Sequence, residues 1–185
     1  MISFSAPAQS WTIEELKSAH TAVNITKLTT EEKEVIKYIN LARMYPAKFA
    51  EVEVKNYVGP EESGDYLSDS RYKASLYNQL KSSLPVLPLQ FDDEMYELAK
   101  CFAYESAIHG IVGHKRKNCI DGNLRGECCD YGNNTGKDVA LSLLIDHDVP
   151  SLGHREICLS TDYKGVGVKM ASHTKYRYCT VLDFR

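Results

Sequence analysis

One tryptophan, no Cys-x-x-Cys pair and no long apolar run stand out first in this sequence. Without paired cysteines at that spacing there is no zinc ribbon and no thioredoxin motif. No apolar stretch approaches the ~18 residues that cross a bilayer. The sequence also has no HExxH, GxSxG, Walker loop or GxGxxG, which removes the readily recognised metalloproteases, serine hydrolases and nucleotide binders. It carries no strong charge of either sign: the formal net charge is −3, so the chain as a whole is no binder of polyanions. Aromatic and basic residues do not interleave, which excludes a stacking platform for nucleic acid. There is no internal repeat and no low-complexity tract.

What remains is globular. The chain has 185 residues, 43% hydrophobic and 25% charged, with a mean hydropathy of −0.35. That length favours one domain over two. Twelve tyrosines supply apolar area with a polar tip. The six cysteines, Cys101, Cys119, Cys128, Cys129, Cys158 and Cys179, all lie in the C-terminal half. An even count fits an exported, disulfide-containing protein, with six reduced thiols as the alternative. Cys128 and Cys129 are adjacent, so on a strand they point to opposite faces. Ala6-Pro7-Ala8 has the small-x-small look of a signal cleavage site, and residues 1–10 suggest a form whose leader is missing. Asn24-Ile25-Thr26 and Asn133-Asn134-Thr135 are formal glycosylation sequons.

Along the chain, Thr12–Leu16 opens a short helix within an N-terminal extension over 1–28. Thr29-Thr30-Glu31-Glu32 then caps a firm one, with Val35, Ile36, Ile39 and Ala42 as its inward stripe. Pro46 starts a further turn. Residues 58–86 read as an insertion, with a helix around Tyr72–Lys81. Asp92-Asp93 opens a strong helix that Gly110 ends. Residues 111–136 read as irregular. A helix over Asp138–Asp146 and a short one from Pro150 to Leu159 follow. Two period-2 stretches, Val166–Met170 and Tyr176–Phe184, make a closing hairpin with its loop at Ser172–Lys175. Helices first and antiparallel strands last predict an α+β fold.

Histidine is scarce. His109 and His114 bracket one helix end, His147 and His154 bracket another helix start, and His20 and His173 stand apart. Glu105, Glu127, Asp146 and Asp148 lie near the middle four. His154 and Cys158 are four apart, which places them on one helix face either as a zinc half-site or with Cys158 in the core. Lys115-Arg116-Lys117 reads as a solvated surface, with an anion contact as the alternative.

Several of these segments resemble the CAP superfamily, in its microbial-type branch (the SCP-like domain of cysteine-rich secretory, antigen 5 and pathogenesis-related proteins). Ile39-Asn40-Leu41-Ala42-Arg43 resembles its opening helix and Leu87–Phe102 its second. Gly113-His114 is similar to its first histidine motif. Gly126-Glu127 is similar to its Gly-Glu motif, with Cys128 where asparagine is usual. Asp146–Ser151 and Gly153-His154-Arg155 resemble the acidic stretch and the motif around its second histidine. Gly165-Val166-Gly167-Val168 resembles its closing strand. The likeness covers roughly 29–185. It departs at Leu143-Leu144, where tryptophan is expected, in the long insert, and in its cysteine pattern.

The resemblance implies an α-β-α sandwich around a central antiparallel sheet. It also implies a cleft of His114, Glu127, Asp146 and His154, with Asp148 as the alternative second acid. The two imidazoles would hold zinc or another divalent metal, and the acids would orient them. The implied role is a secreted, extracellular or periplasmic module binding a lipid, small molecule or protein, with Tyr57, Tyr66, Tyr72 and Tyr77 of the insert at the cleft rim. Two alternatives follow: a metal-dependent hydrolase with Glu127 as general base, and a purely structural or surface-displayed domain.

Overall fold

The computed structural model describes residues 10–185. The Ala6-Pro7-Ala8 segment therefore lies outside the described residues. Thr12 and Thr29 each form a capping box, with their hydroxyls accepting from the backbone N–H groups of Glu15 and Glu32. These start α1 (Ile13–Ala19) and α2 (Thr30–Met44). Pro46 opens α3 (Pro46–Phe49), which continues as a wider π turn over Ala50–Val54. The insert contributes α4 (Arg71–Ser82), capped by Ser70.

A two-residue strand β1 (Gln90–Phe91) leads into α5 (Asp93–His109), which Asp92 caps and left-handed Gly110 ends. Then come β2 (Gly126–Tyr131), α6 (Gly136–Ile145), α7 (Gly153–Leu159), β3 (Gly165–His173) and β4 (Arg177–Phe184). Two elements differ from the sequence-based expectation in this stretch. Residues 111–136, read as irregular, contain β2, whose Gly-Glu-Cys-Cys-Asp-Tyr lacks apolar–polar alternation because most of both its faces is buried. The helix expected from Pro150 begins only at Gly153, because Leu152 sits in the left-handed region.

The sheet order is β1-β3-β4-β2. β3, β4 and β2 are antiparallel, while β1 pairs parallel to β3, so the sheet is mixed rather than wholly antiparallel. α5 covers one face, packing Ala99, Phe102 and Ala103 against Cys129 and Val181. α2, α6 and α7 cover the other, where Val35, Ile39, Val139, Leu143, Cys158, Cys128, Val168 and Leu182 share one core. This is the α-β-α sandwich. Two glycines set the layer spacing. A Cβ at Gly167 would lie 2.0 Å from the Tyr96 nitrogen of α5, and one at Gly136 would lie 2.3 Å from the Glu31 carbonyl of α2.

Residues 10–28 join the main core: Ala19 and Ala22 are fully buried. Arg155, at 1% exposure, ties the insert to the domain. Its guanidinium donates to the carbonyls of Leu144 (2.7 Å), Ile145 (2.8 Å) and Tyr72 (2.9 Å) and to Ser75 Oγ (2.9 Å). A buried arginine is tolerated only when its donors are satisfied in this way.

Candidate functional site

The sheet order leaves β2 at an edge, and side chains from both helical layers meet beyond it. From the α5 side, the loop after Gly110 carries His114 across the edge, and Glu127 projects from β2 to meet it. His114 Nδ1 lies 2.8 Å from Glu127 Oε1. From the other layer, His154 Nδ1 lies 2.8 Å from Asp146 Oδ1. The two imidazoles face each other with ring centroids 5.9 Å apart. The structure thus brings together His114, Glu127, Asp146 and His154.

Local backbone explains the placement. Asp146 ends α6 in the left-handed conformation, φ 54°. Its carboxylate turns back onto the start of α7 and accepts from the His154 backbone N–H at 3.0 Å and that of Arg155 at 3.4 Å. One acid therefore caps the helix that carries His154 and orients the His154 ring. Asp148 has a side chain 80% exposed and lies 3.5 Å from His147 Nε2, which makes Asp146 the acid of the His154 pair. A carboxylate only accepts hydrogen bonds, so each Nδ1 carries the proton and each Nε2 presents a lone pair.

Arg116 is the residue that sequence reading places wrongly. Its side chain is only 5% exposed, so the Lys115-Arg116-Lys117 run is not a uniformly solvated face. Lys115 and Lys117 on either side of it are exposed, while Arg116 turns inward. Arg116 binds Glu127 Oε2 and reaches Asp183 Oδ1 (2.9 Å) and Oδ2 (2.8 Å), and its guanidinium lies 4.7 Å from the Phe102 ring centroid.

The electrostatics follow. The Glu127 hydrogen bond raises the His114 pKa against partial burial. Burial opposes ionisation of Glu127, but His114 and Arg116 together hold its pKa below the usual carboxylate value. Asp183 is pushed up to about 7 by burial, which Arg116 offsets only in part. Cys129, on the same β2 face as Glu127, places Sγ 3.8 Å from both His114 Nδ1 and Glu127 Oε1.

Beside His154, a cavity of about 310 Å³ is lined by Tyr66, Asp130, Ser142, Asp146, His147 and His154, with Leu143 and Val149 among its apolar walls. Of the four insert tyrosines only Tyr66, at 49% exposure, lines it. Tyr57 donates to Asp138 at 2.7 Å, Tyr77 to Glu51 at 2.5 Å, and Tyr72 is buried.

The other candidates fall outside the His114–Glu127–Asp146–His154 quartet. Glu105 accepts from the backbone of Lys117 and Asn118 and braces the loop. His147 stacks edge-on against Tyr66 and Tyr72 and bonds Ser70. His173 accepts the N–H groups of Lys175 and Tyr176 at the β3–β4 turn. His109 is exposed at the end of α5. Cys158 is buried in the core beside Cys128. Cys101 and Cys119 form a disulfide, and the remaining four cysteines are free and buried.

A three-layer α+β domain with two histidine–carboxylate pairs at an open sheet edge is the class these features define. The chain belongs to the CAP, or cysteine-rich secretory protein, family, which matches it over residues 74–184. No curated protein matches the chain. Among solved structures it is similar to an outer surface protein from Borrelia burgdorferi, at 20% identity and a TM-score of 0.43, over 54% of this chain and 77% of that one. No described helix is long and apolar enough to cross a membrane.

Proposed function

We propose that this chain is an extracellular binding module whose edge cleft takes a divalent metal on His114 and His154 and a small ligand in the adjoining cavity. The observation that carries it is the paired geometry: each imidazole commits Nδ1 to a largely buried carboxylate, with the two rings 5.9 Å apart. Carboxylate-oriented histidines with free Nε2 lone pairs suit zinc or a similar borderline ion. The bound ion would supply Lewis acidity to a ligand donor group, while Asp146 and Glu127 hold the rings.

Binding is favoured over hydrolysis by the state of Glu127. Its Oε1 is engaged by His114 and its Oε2 by Arg116, and the Arg116 charge lowers its basicity. It is therefore ill-placed as a general base for water. The cavity is at the small end of ligand sites and mixes apolar walls with a few polar groups, which suits a small ligand. An extracellular setting is supported by family membership and by the Cys101–Cys119 bridge, since disulfides persist in oxidising compartments.

Calorimetric titration with zinc tests the metal half of this reading. The wild type should bind one ion, and the His114→Ala/His154→Ala double variant should show no such heat. Equal heats from the two proteins would end it.

A further inference from the structure

Three donors of different kinds converge on the α5 side of β2. His114 Nδ1 and Glu127 Oε1 are 2.8 Å apart, and Cys129 Sγ is 3.8 Å from each. The donor atoms of a tetrahedral zinc site, with bonds of about 2.0 to 2.3 Å, stand roughly 3.2 to 3.7 Å from one another. The triangle seen here is already near that size. We propose that His114 Nδ1, Glu127 Oε1 and Cys129 Sγ form a thiolate-containing metal site, distinct from the His114–His154 pair, for borderline and soft divalent cations.

Charge supports a divalent ion. Glu127 and a Cys129 thiolate, formed as the metal displaces the proton from a thiol that burial pushes up, give two negative charges, while Arg116 is shared between Glu127 and Asp183. Rigidity supports it too, because Arg116 fixes the second oxygen of Glu127 and β2 fixes the backbone of both Glu127 and Cys129. The two modes exclude each other at His114. With the proton on Nδ1, Nε2 is offered to the cleft. With the proton moved to Nε2 through water, Nδ1 turns ligand. On binding, the Cys129 S–H proton passes to solvent as the metal–sulfur bond forms, and the imidazole stays neutral. A thiolate donor selects for softer ions, so ion identity decides which mode is used.

This site does not depend on His154, and cobalt(II) as a spectroscopic probe separates the two modes. Wild type and His154→Ala should both show a near-ultraviolet sulfur-to-cobalt charge-transfer band that saturates at one ion per chain. Cys129→Ser should lose the band. So should His114→Ala, whose side chain is 53% exposed and whose removal leaves the core intact. No band in the wild type, its loss in His154→Ala, or its persistence in either Cys129→Ser or His114→Ala would overturn the proposal. A wild type that binds zinc through His114 and His154 yet shows no cobalt–sulfur band leaves the paired-histidine reading standing and removes this one.

Discussion

Asp146 and His154 are joined twice: the carboxylate accepts from the ring Nδ1–H through Oδ1 at 2.8 Å and from the backbone N–H through Oδ2 at 3.0 Å. Helix start and ring orientation are thus set by a single side chain. Asp146→Ala should cost about 1 to 2 kcal/mol of stability through the lost cap. It should also weaken zinc binding by about 10- to 100-fold through the freed ring. Chemical denaturation and calorimetry on the same protein read the two effects. Unchanged zinc affinity in a folded variant would show that the ring needs no such support.

Arg116 stands between two carboxylates that would otherwise face each other in a largely buried place. Removing one partner of a buried ion network costs about 3 to 5 kcal/mol, since the remaining charge is left uncompensated. Arg116→Ala should fall in that range, and adding Asp183→Asn should recover part of the loss. A double variant no more stable than the single one would argue against a shared charge as the cause.

Much of this fold is legible in the sequence because its signals are local. The hydroxyl-plus-acid starts at Thr12 and Thr29, the apolar stripe of α2, Gly110 after α5 and the alternation over 165–184 each follow from helix or strand periodicity. Four residues of the cleft are also legible, through short motifs resembling one family. Arg116, Asp183, Cys129 and Asp130 are not. Nothing in a Lys-Arg-Lys run says which charge turns inward, and Asp183 lies 67 positions from its partner. β2 escapes notice because a strand buried over most of both faces need show no alternation. It thereby hides Cys129 and Asp130, whose roles depend on the face each one occupies. The one signal available is the adjacency of Cys128 and Cys129, which on a strand forces opposite directions.

The cysteines make a countable prediction. One bridge and four free thiols mean that reduction adds two hydrogens to the intact mass, and that denatured, unreduced protein takes up four equivalents of alkylating reagent. The bridge closes a separation of 18 residues, worth about 3 kcal/mol in the chain-entropy picture. It pins the His114 loop to α5, so Cys101→Ser/Cys119→Ser should lower both stability and zinc affinity. Uptake of six equivalents would show that no bridge forms.

Asp130 sits on β2 facing the α6 layer, at 4% exposure, and lines the cavity beside His154. Burial pushes its pKa up to about 6, against hydrogen bonds from Ser142 and Asn133 that favour the charged form. In the unfolded chain the same group titrates near ~3.9. Because the folded value is the higher one, the fold binds the proton more tightly, and the cost of ionising Asp130 appears as pH rises. It is absent below about pH 4 and complete above about pH 6, amounting to up to about 3 kcal/mol for a shift of this size. Asp130→Asn removes that term. Urea unfolding should therefore show the wild type losing stability relative to Asp130→Asn between about pH 4 and about pH 6, and parallel pH profiles for the two proteins would refute the assignment.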